Sequence, residues 1–228
     1  MAKKKTEILP VALVAATDNF STTTEQYRTI RTNISFSSAD KEIKTLVVTS
    51  SGPSEGKSTT SANLAIVFAN AGSKVLLVDA DLRKPSVAIS FRLPNATGLS
   101  NLLTNREASI DRYYQASSVD NLYVMTSGPK PPNPSELLGS QRMLDIMNVM
   151  SEEFDVIIFD MPPVATVTDA QILAAHTDGT LLVVRERKTK KQDVIKAKEL
   201  LTRAKANILG VIYNGKKKGD SAGYYYYG

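Results

Sequence analysis

The segment from residue 46 to residue 60 constrains the fold more than any other part of the chain. It reads LVVTSSGPSEGKSTT and begins with an apolar, β-branched run that is typical of a buried strand. Turn residues with Gly52 and Gly56 follow, and Lys57 opens a stretch that predicts a helix. A strand, a glycine-containing loop and a helix N-terminus predict a phosphate-binding loop, because loop amides and the positive end of the helix dipole face the anion.

This segment departs at one position from the usual phosphate-loop pattern. The pattern G-x-x-x-x-G-K-[ST] places glycine at position 51, whereas this chain has Ser51 followed by Gly52. We expect Lys57 to reach the terminal phosphates and the hydroxyl of Ser58 to ligate Mg²⁺. The alternative is an ordinary strand-to-helix turn with a surface lysine.

Three acidic residues end two further apolar runs. Residues 74–81 (KVLLVDAD) and 154–160 (FDVIIFD) predict strands buried on both faces, and they end at Asp79, Asp81 and Asp160. Ligands of open parallel sheets bind beyond the carboxyl ends of the strands, so we expect these carboxylates at the ligand site. Because such an acid holds the Mg²⁺ shell in phosphate-loop enzymes, Asp160 and Asp81 are candidate metal ligands. A surface turn is the alternative for Asp79 and Asp81.

The remaining chain alternates predicted strands with predicted helices. We expect helices over about 24–36 (capped by Thr23 or Thr24), 58–70, 98–103, 110–116, 135–151 and 190–206, and strands over 122–125, 178–184 and 208–213. Asp169 is expected to cap the helix that follows Asp160. The alternation predicts an α/β fold whose mostly parallel central sheet is covered by helices on both faces.

Length and composition favour one nucleotide-binding domain with two extensions. The chain has 228 residues, 42% of them hydrophobic, and no cysteine, which excludes disulfide bonds and thiolate metal sites. We expect an extended N-terminal arm at residues 1–22, the domain at 23–214 and a flexible tail at 215–228. Part of the net charge of +5 lies in lysine runs at 3–5 and 216–218, which we interpret as solvated or weakly attracted to an anionic membrane.

The apolar residues near the N-terminus imitate a signal peptide. Glu7 and Pro10 interrupt the pattern, so we do not expect secretion. No apolar run reaches the ~20 residues that a membrane-spanning helix requires. We therefore expect a soluble protein that reaches a membrane only through a partner.

Two features lie outside the predicted nucleotide site. Glu25, Arg28 and Arg31 follow at three-residue steps and so form one stripe of the predicted helix, which is either a solvated face or a surface that pairs across subunits. The chain also ends in consecutive tyrosines after a polar, glycine-containing segment. Because consecutive side chains cannot share one face, we expect the tyrosines to be presented to a neighbouring molecule, and the alternative is an adhesive but inert terminus. They are Tyr224, Tyr225, Tyr226 and Tyr227.

Together these residues resemble the cytoplasmic kinase unit of the bacterial tyrosine kinases of capsular and exopolysaccharide synthesis. Residues 51–59 resemble the Walker A motif of that family, residues 75–85 its second motif (A′) and residues 157–163 its Walker B motif. The E-x-x-R-x-x-R stripe resembles its ring-assembly element, and the terminal tyrosines resemble its autophosphorylated cluster. Met161 departs from the small polar residue expected there. The lack of membrane-spanning segments resembles the split form of Gram-positive bacteria.

The resemblance implies an ATP- and Mg²⁺-dependent protein-tyrosine kinase that autophosphorylates its tail in trans and regulates polysaccharide synthesis and export. Asp79 would orient or deprotonate the acceptor tyrosine. The implied nucleotide-binding residues are Ser51, Gly52, Pro53, Ser54, Glu55, Gly56, Lys57, Ser58, Thr59 and, at the adenine, Asn214.

The resemblance also implies a set of partners. These are further copies of the chain in a ring, with an octamer as one candidate size, protein tyrosine substrates, and a membrane activator of the polysaccharide co-polymerase type. No nucleic acid partner is expected. The implied location is cytoplasmic, at the inner face of the cell membrane through that activator.

Two other functions stay open at this point. A partitioning or division-site ATPase would share the fold, but such proteins carry a signature lysine where this chain has Gly52, and they lack a tyrosine tail. A non-catalytic nucleotide-binding scaffold would have no use for Lys57 together with three acids at the strand ends.

Overall fold

A seven-stranded sheet forms the centre of the structure, a computed structural model that describes residues 9–37, 42–105, 107 and 109–215. The strand order is β3-β4-β2-β5-β1-β6-β7, and every neighbouring pair is parallel except β3 and β4. The predicted mostly parallel sheet is therefore confirmed. The strands are β1 (Thr45–Ser50), β2 (Val75–Asp79), β3 (Gln115–Ala116), β4 (Leu122–Met125), β5 (Val156–Asp160), β6 (Gly179–Arg185) and β7 (Ile208–Asn214).

Helices cover both faces of this sheet. Side chains alternate along each strand, so that Val47 and Phe159 face the helices at residues 141–153 and 169–174, whereas Leu46 and Ile158 face the helix at residues 57–69. The helices are α1 (Val14–Thr17), α2 (Thr22–Phe36), α3 (Lys57–Ala69), α4 (Val87–Phe91), α5 (Leu99–Thr104), α6 (Pro134–Leu138), α7 (Gln141–Glu153), α8 (Asp169–Ala174) and α9 (Lys191–Arg203). None of the described helices is long and apolar enough to cross a membrane.

The register of three neighbouring strands determines where the site lies. Val48 of β1 is paired with Asp160 of β5, and Asp160 is in turn paired with Asp79 of β2. The loops that leave these strands therefore emerge side by side at the carboxyl edge of the sheet, which is where parallel sheets bind ligands.

Local hydrogen bonds place two helix boundaries away from their predicted positions. The hydroxyl of Ser21 accepts from Thr24 N at 3.1 Å and caps α2, so the prediction of Thr23 or Thr24 as cap is wrong. The single helix predicted over 135–151 is two helices, because the chain breaks at Gly139 and the hydroxyl of Ser140 starts α7 by accepting from Met143 N.

Two other segments also differ from the prediction. The helix expected over 110–116 is a 3₁₀ turn at Ile110–Arg112 followed by β3, which pairs antiparallel with β4. The N-terminal arm is not extended throughout, since it contains α1 and buries Ala15 against α3. The lysine runs and the four terminal tyrosines lie outside the described residues.

Candidate active site

Lys57 is the first residue of α3, and its ammonium group meets carboxylates from two neighbouring strand ends. Lys57 Nζ lies 3.0 Å from Asp81 Oδ2 and 3.4 Å from Asp160 Oδ1, and it donates to Ser58 Oγ at 3.2 Å. Burial lowers the pKa of Lys57, but the carboxylates of Asp160 and Asp81 outweigh it, so the pKa is raised overall. Lys57 is thus a cation at the predicted phosphate site.

Asp160 lies fully buried at the end of β5. Its Oδ1 accepts a hydrogen bond from Ser61 Oγ at 3.1 Å, a contact that the sequence analysis missed. The spacing from Lys57 could have indicated it, because residues four apart lie on one face of a helix. Burial raises the pKa of Asp160, while Lys57 and the hydroxyls of Ser58 and Ser61 act in the opposite direction.

Asp79 joins the site to the short helix α4. Its Oδ2 accepts hydrogen bonds from the amides of Ser86, at 3.0 Å, and Val87, at 2.9 Å. Its Oδ1 is buried and has no hydrogen-bond partner among the described residues. Burial, together with the charge of Asp160, raises the pKa of Asp79 to about 7. Such a carboxyl group can orient a hydroxyl through its second oxygen.

Asp81 and Arg83 face different parts of the molecule although they are near neighbours in the chain. Asp81 Oδ1 accepts from the amide of Lys84 at 3.0 Å, which fixes the loop after β2. The Arg83 guanidinium instead forms a two-bonded pair with the buried carboxylate of Asp169, at 2.8 and 3.0 Å. The prediction that Asp169 caps α8 is therefore wrong, because Thr168 occupies the cap position and Asp169 pairs with Arg83.

The phosphate loop has a conformation that requires glycine at position 56. Gly56 has φ +98°, and a Cβ atom there would lie 2.0 Å from Asn214 Nδ2. That nitrogen donates to the carbonyl of Glu55 at 3.0 Å, so the end of β7 touches the loop. The structure therefore places Asn214 beside the predicted nucleotide-binding residues, and its contact with adenine stays a prediction.

The loop after β6 supports the phosphate loop through residues that the sequence analysis did not select. The buried carboxylate of Glu55 accepts from Gly52 N at 2.9 Å and from Thr189 Oγ1 at 2.5 Å. Lys188 Nζ donates to the carbonyl oxygens of Pro53, at 2.6 Å, and Ser54, at 3.1 Å. The bonds from Lys188 and Thr189 hold residues 53–55 in place from outside the motif.

The oxygen donors at this edge of the sheet fit a magnesium–nucleotide complex. Mg²⁺ in phosphoryl-transfer sites takes one or two carboxylates, with phosphates and waters completing its shell, and Asp81 and Asp160 are carboxylates of this kind. The hydroxyl of Ser58 is a further oxygen donor at the same place. The described residues contain no cluster of three or more His, Cys, Asp or Glu side chains that could bind a metal by itself. The buried hydroxyl of Ser51 has no hydrogen-bond partner among the described residues, and a bound ligand could supply one.

The charged stripe lies on α2, outside the group of residues around Lys57. Arg28 contacts Glu25 on the same helix. Arg31 Nη1 donates to the carbonyl of Val67 on α3 at 2.8 Å. The Glu25–Arg28 contact is the pair that a solvated face would carry, and Arg31 contacts a neighbouring helix, while the pairing of the stripe across subunits stays a prediction.

Comparisons with known proteins agree with this geometry. The family model described as "ParA: NUBPL iron-transfer P-loop NTPase" matches residues 42–218. The tyrosine-protein kinase YwqD of Bacillus subtilis is 50% identical over 95% of this chain and 91% of its own length. The crystal structure of the chimerical protein CapA2B2 is 39% identical, with a TM-score of 0.85 and 90% of each chain covered. The kinase domain of the Escherichia coli tyrosine kinase ETK is 31% identical, with a TM-score of 0.87 over 99% of this chain and 87% of that one.

Proposed function

This chain belongs to the bacterial tyrosine kinases, within the ParA-like P-loop NTPases, and we propose that it transfers phosphate from ATP to the tyrosines of its own C-terminal cluster. The observation that carries the proposal is the meeting of Lys57 with Asp81 and Asp160 beside the half-satisfied carboxyl group of Asp79. Phosphoryl transfer depends mainly on positioning and charge neutralisation, and these residues supply both.

On the phosphate side, Lys57 and the loop amides of residues 51–59 bind the terminal phosphates. Ser58, Asp81 and Asp160 would hold Mg²⁺, which would supply positive charge to neutralise the transferred group. Asn214, whose amide already touches the loop, contacts the adenine. Glu55 fixes the conformation of the loop through its bonds to Gly52 and Thr189. The loop is therefore largely ordered before the nucleotide binds.

On the acceptor side, Asp79 orients the tyrosine hydroxyl. The phenol oxygen forms a bond to the terminal phosphorus while the bond from that phosphorus to the ADP oxygen breaks, and the phenol proton passes to Asp79 or to water. A phenol has a pKa near 10, so an ordinary carboxylate is a weak base for it. The pKa of Asp79 is raised to about 7, which reduces the difference between its pKa and that of the phenol. Orientation of the hydroxyl nevertheless contributes more to the reaction than removal of its proton.

We propose that the tail reacts in trans within a ring of identical subunits. β7 ends at Asn214, and the ten residues from there to Tyr224 span at most about 35 Å, which allows the tail to enter a neighbouring site. The stripe of Glu25, Arg28 and Arg31 contributes the subunit contact. Each phosphate adds roughly −1.5 to −2 charges near neutral pH, so tails phosphorylated at Tyr224–Tyr227 leave the acidic site and loosen the ring.

The proposed setting is the inner face of the cell membrane. The proposed partner is a membrane protein of the polysaccharide co-polymerase type, which recruits and activates the kinase and links it to capsular or exopolysaccharide synthesis and export. Other proteins supply further tyrosine substrates, and no nucleic acid is required. These proposals rest on the family's motifs at residues 51–59, 75–85 and 157–163.

The test incubates the full chain with Mg-ATP, alone and with a membrane fraction from the cells of origin. We expect phosphotyrosine at Tyr224–Tyr227 by peptide mass spectrometry and its loss when all four become Phe. The matched control is Tyr213→Phe, which changes an exposed tyrosine of β7 and should leave the labelling unchanged. Release of ADP without any phosphotyrosine would instead indicate an ATPase of the partitioning type.

A further inference from the structure

The N-terminal arm, here residues 9–17, lies against two helices of the proposed active site. Ala15 is 1% exposed, and Val11, Leu13 and Val14 pack against the same hydrophobic layer as α3 and Val87 of α4. This is the apolar segment that imitates a signal peptide in the sequence. In the structure it is part of the folded domain.

Asn63 fixes the position of the arm on α3. It is fully buried in the most apolar part of that helix. Its Oδ1 accepts from Ala15 N at 2.9 Å, and its Nδ2 donates to the carbonyls of Ala12 and Thr59, both at 2.8 Å. A buried amide is costly unless it is hydrogen-bonded, so this side chain favours one register of the arm over all others.

Ser90 connects the arm to α4. Val11 N donates to Ser90 Oγ at 3.0 Å, and Ser90 Oγ donates to the carbonyl of Ser86 at 2.7 Å. At the other end of α4, Asp79 accepts from Ser86 N and Val87 N. A helix of five residues is too short to be stable alone, so the position of α4 depends on attachments of this kind.

We propose that the arm aligns the two sides of the active site, with Asn63 and Ser90 as its positioning residues. The arm holds α3, which carries Lys57 and Ser58, at a fixed distance from α4, whose first turn is bonded to Asp79. This inference rests on the proposed function, because it concerns the alignment of the acceptor carboxylate with the phosphate-binding lysine. Misplacement by about 1 Å can cost roughly 10²-fold in rate.

The critical variant is Ser90→Ala in the full chain. It removes the acceptor of Val11 N and the bond from Ser90 Oγ to the carbonyl of Ser86, and it deletes none of the groups through which Asp79 bonds to α4. We expect kcat for tyrosine phosphorylation to fall about tenfold, while KM for ATP stays within about twofold because Lys57 and the loop are unchanged. Ser90→Thr keeps the hydroxyl and should restore kcat. Val149→Ala, an equally exposed apolar residue on α7 and away from the arm, is the matched control and should behave as wild type.

Asn63→Leu is the second variant, because it removes both arm bonds, together with the bond to Thr59, while keeping the branching and the number of heavy atoms of the side chain. We expect kcat per folded molecule to fall further than in Ser90→Ala. If the arm only adds stability, both variants lower Tm but keep wild-type kcat per folded molecule. That result, or an equal loss of kcat in Ser90→Thr or Val149→Ala, would overturn the inference.

Hydrogen exchange tests the same inference without activity. In Ser90→Ala the amides of Ser86 and Val87, which bond to Asp79, should exchange about tenfold faster than in wild type, and those of the α3 core should not change. Unchanged exchange at Ser86 and Val87 overturns the inference. If exchange is faster in Ser90→Ala but the wild-type protein makes no phosphotyrosine, the proposed function is rejected and the role of the arm in positioning α4 is supported.

Discussion

Opposite charges meet in two regions of this molecule, with different consequences. At the carboxyl edge of the sheet, Lys57 lies among Asp81, Asp160 and Asp79, and the three carboxylates are all buried. On α2, Glu25 and Arg28 also touch, but their side chains are 61% and 29% exposed. Burial raises the pKa of Asp79 and Asp160, because water no longer stabilises their charge.

The comparison shows which ion pairs carry chemistry. The strand ends fix the positions of the buried charges, so the remaining charges cannot move to compensate when one of them is removed. Substitutions in this region should therefore have large effects. An exposed pair on one helix contributes only a few tenths of a kcal/mol and stays accessible to another subunit. We therefore expect catalysis to depend on the first region and assembly on the second.

Removing the buried cation should have the largest effect. Lys57→Met keeps most of the side-chain length but removes the positive charge that faces the phosphates, and we expect phosphotyrosine formation to fall at least about 10³-fold. The control is Lys74→Met, at the opposite end of the sheet, where Lys74 pairs with Glu153 at 3.1 Å. A Lys57→Met protein with a native circular dichroism spectrum and wild-type labelling would contradict the proposed site.

The pH dependence of stability should show the next largest effect. The pKa of Asp79 rises from 3.8 to about 7 on folding, so between those values the folded state holds a proton that the unfolded state has lost. The free energy of unfolding of the nucleotide-free protein should therefore fall as pH rises from about 4 to about 7, by at most about 4 kcal/mol for this group.

Asp79→Asn should reduce this dependence, because the amide does not titrate, and the remaining slope should reflect the raised pKa of Asp160. Urea unfolding near pH 5 and near pH 7.5 measures the difference, and exposed Asp193→Asn on α9 is the control that should keep the wild-type slope. An Asp79→Asn protein that loses as much stability as wild type between these pH values would show that another group is responsible.

The exposed stripe should have the smallest effect on stability and a clear one on assembly. Breaking the Glu25–Arg28 pair by alanine should cost only a few tenths of a kcal/mol in the free energy of unfolding. Replacing Glu25, Arg28 and Arg31 together should shift the protein towards monomer in light scattering, whereas Thr32→Ala, an exposed change on the same helix, should not. If wild type, the triple alanine variant and Thr32→Ala all form the same oligomer, the stripe is not a subunit contact.

The parts of the site that the sequence predicted are encoded locally. The phosphate loop and the acids at the ends of β2 and β5 follow from short segments, because an apolar run determines a buried strand and its end determines the sheet edge. The parallel sheet follows from the alternation of such strands with helices.

The parts that were missed depend on partners far apart in the chain. Arg83 and Asp169 are separated by 86 residues, Ser61 and Asp160 by 99, and Glu55 and Thr189 by 134. No local pattern distinguishes Asp169 as a salt-bridge partner from Asp169 as a helix cap. The docking of the arm was missed for the same reason, since the partner of Ala15 is Asn63, 48 residues away.

The most direct test of the central claim mixes two forms of the protein with Mg-ATP. One is the inactive Lys57→Met chain with its tail, and the other is an active chain truncated after Ala222, which lacks the tyrosine cluster. We expect phosphotyrosine to appear on the inactive chain, and phosphorylated wild type to elute as a smaller particle than unphosphorylated wild type. No label on the inactive chain, with the truncated chain proven active on another tyrosine substrate, would contradict transfer between molecules. Phosphotyrosine on the inactive chain without a change in particle size would support the kinase activity but contradict control of ring assembly by the tail.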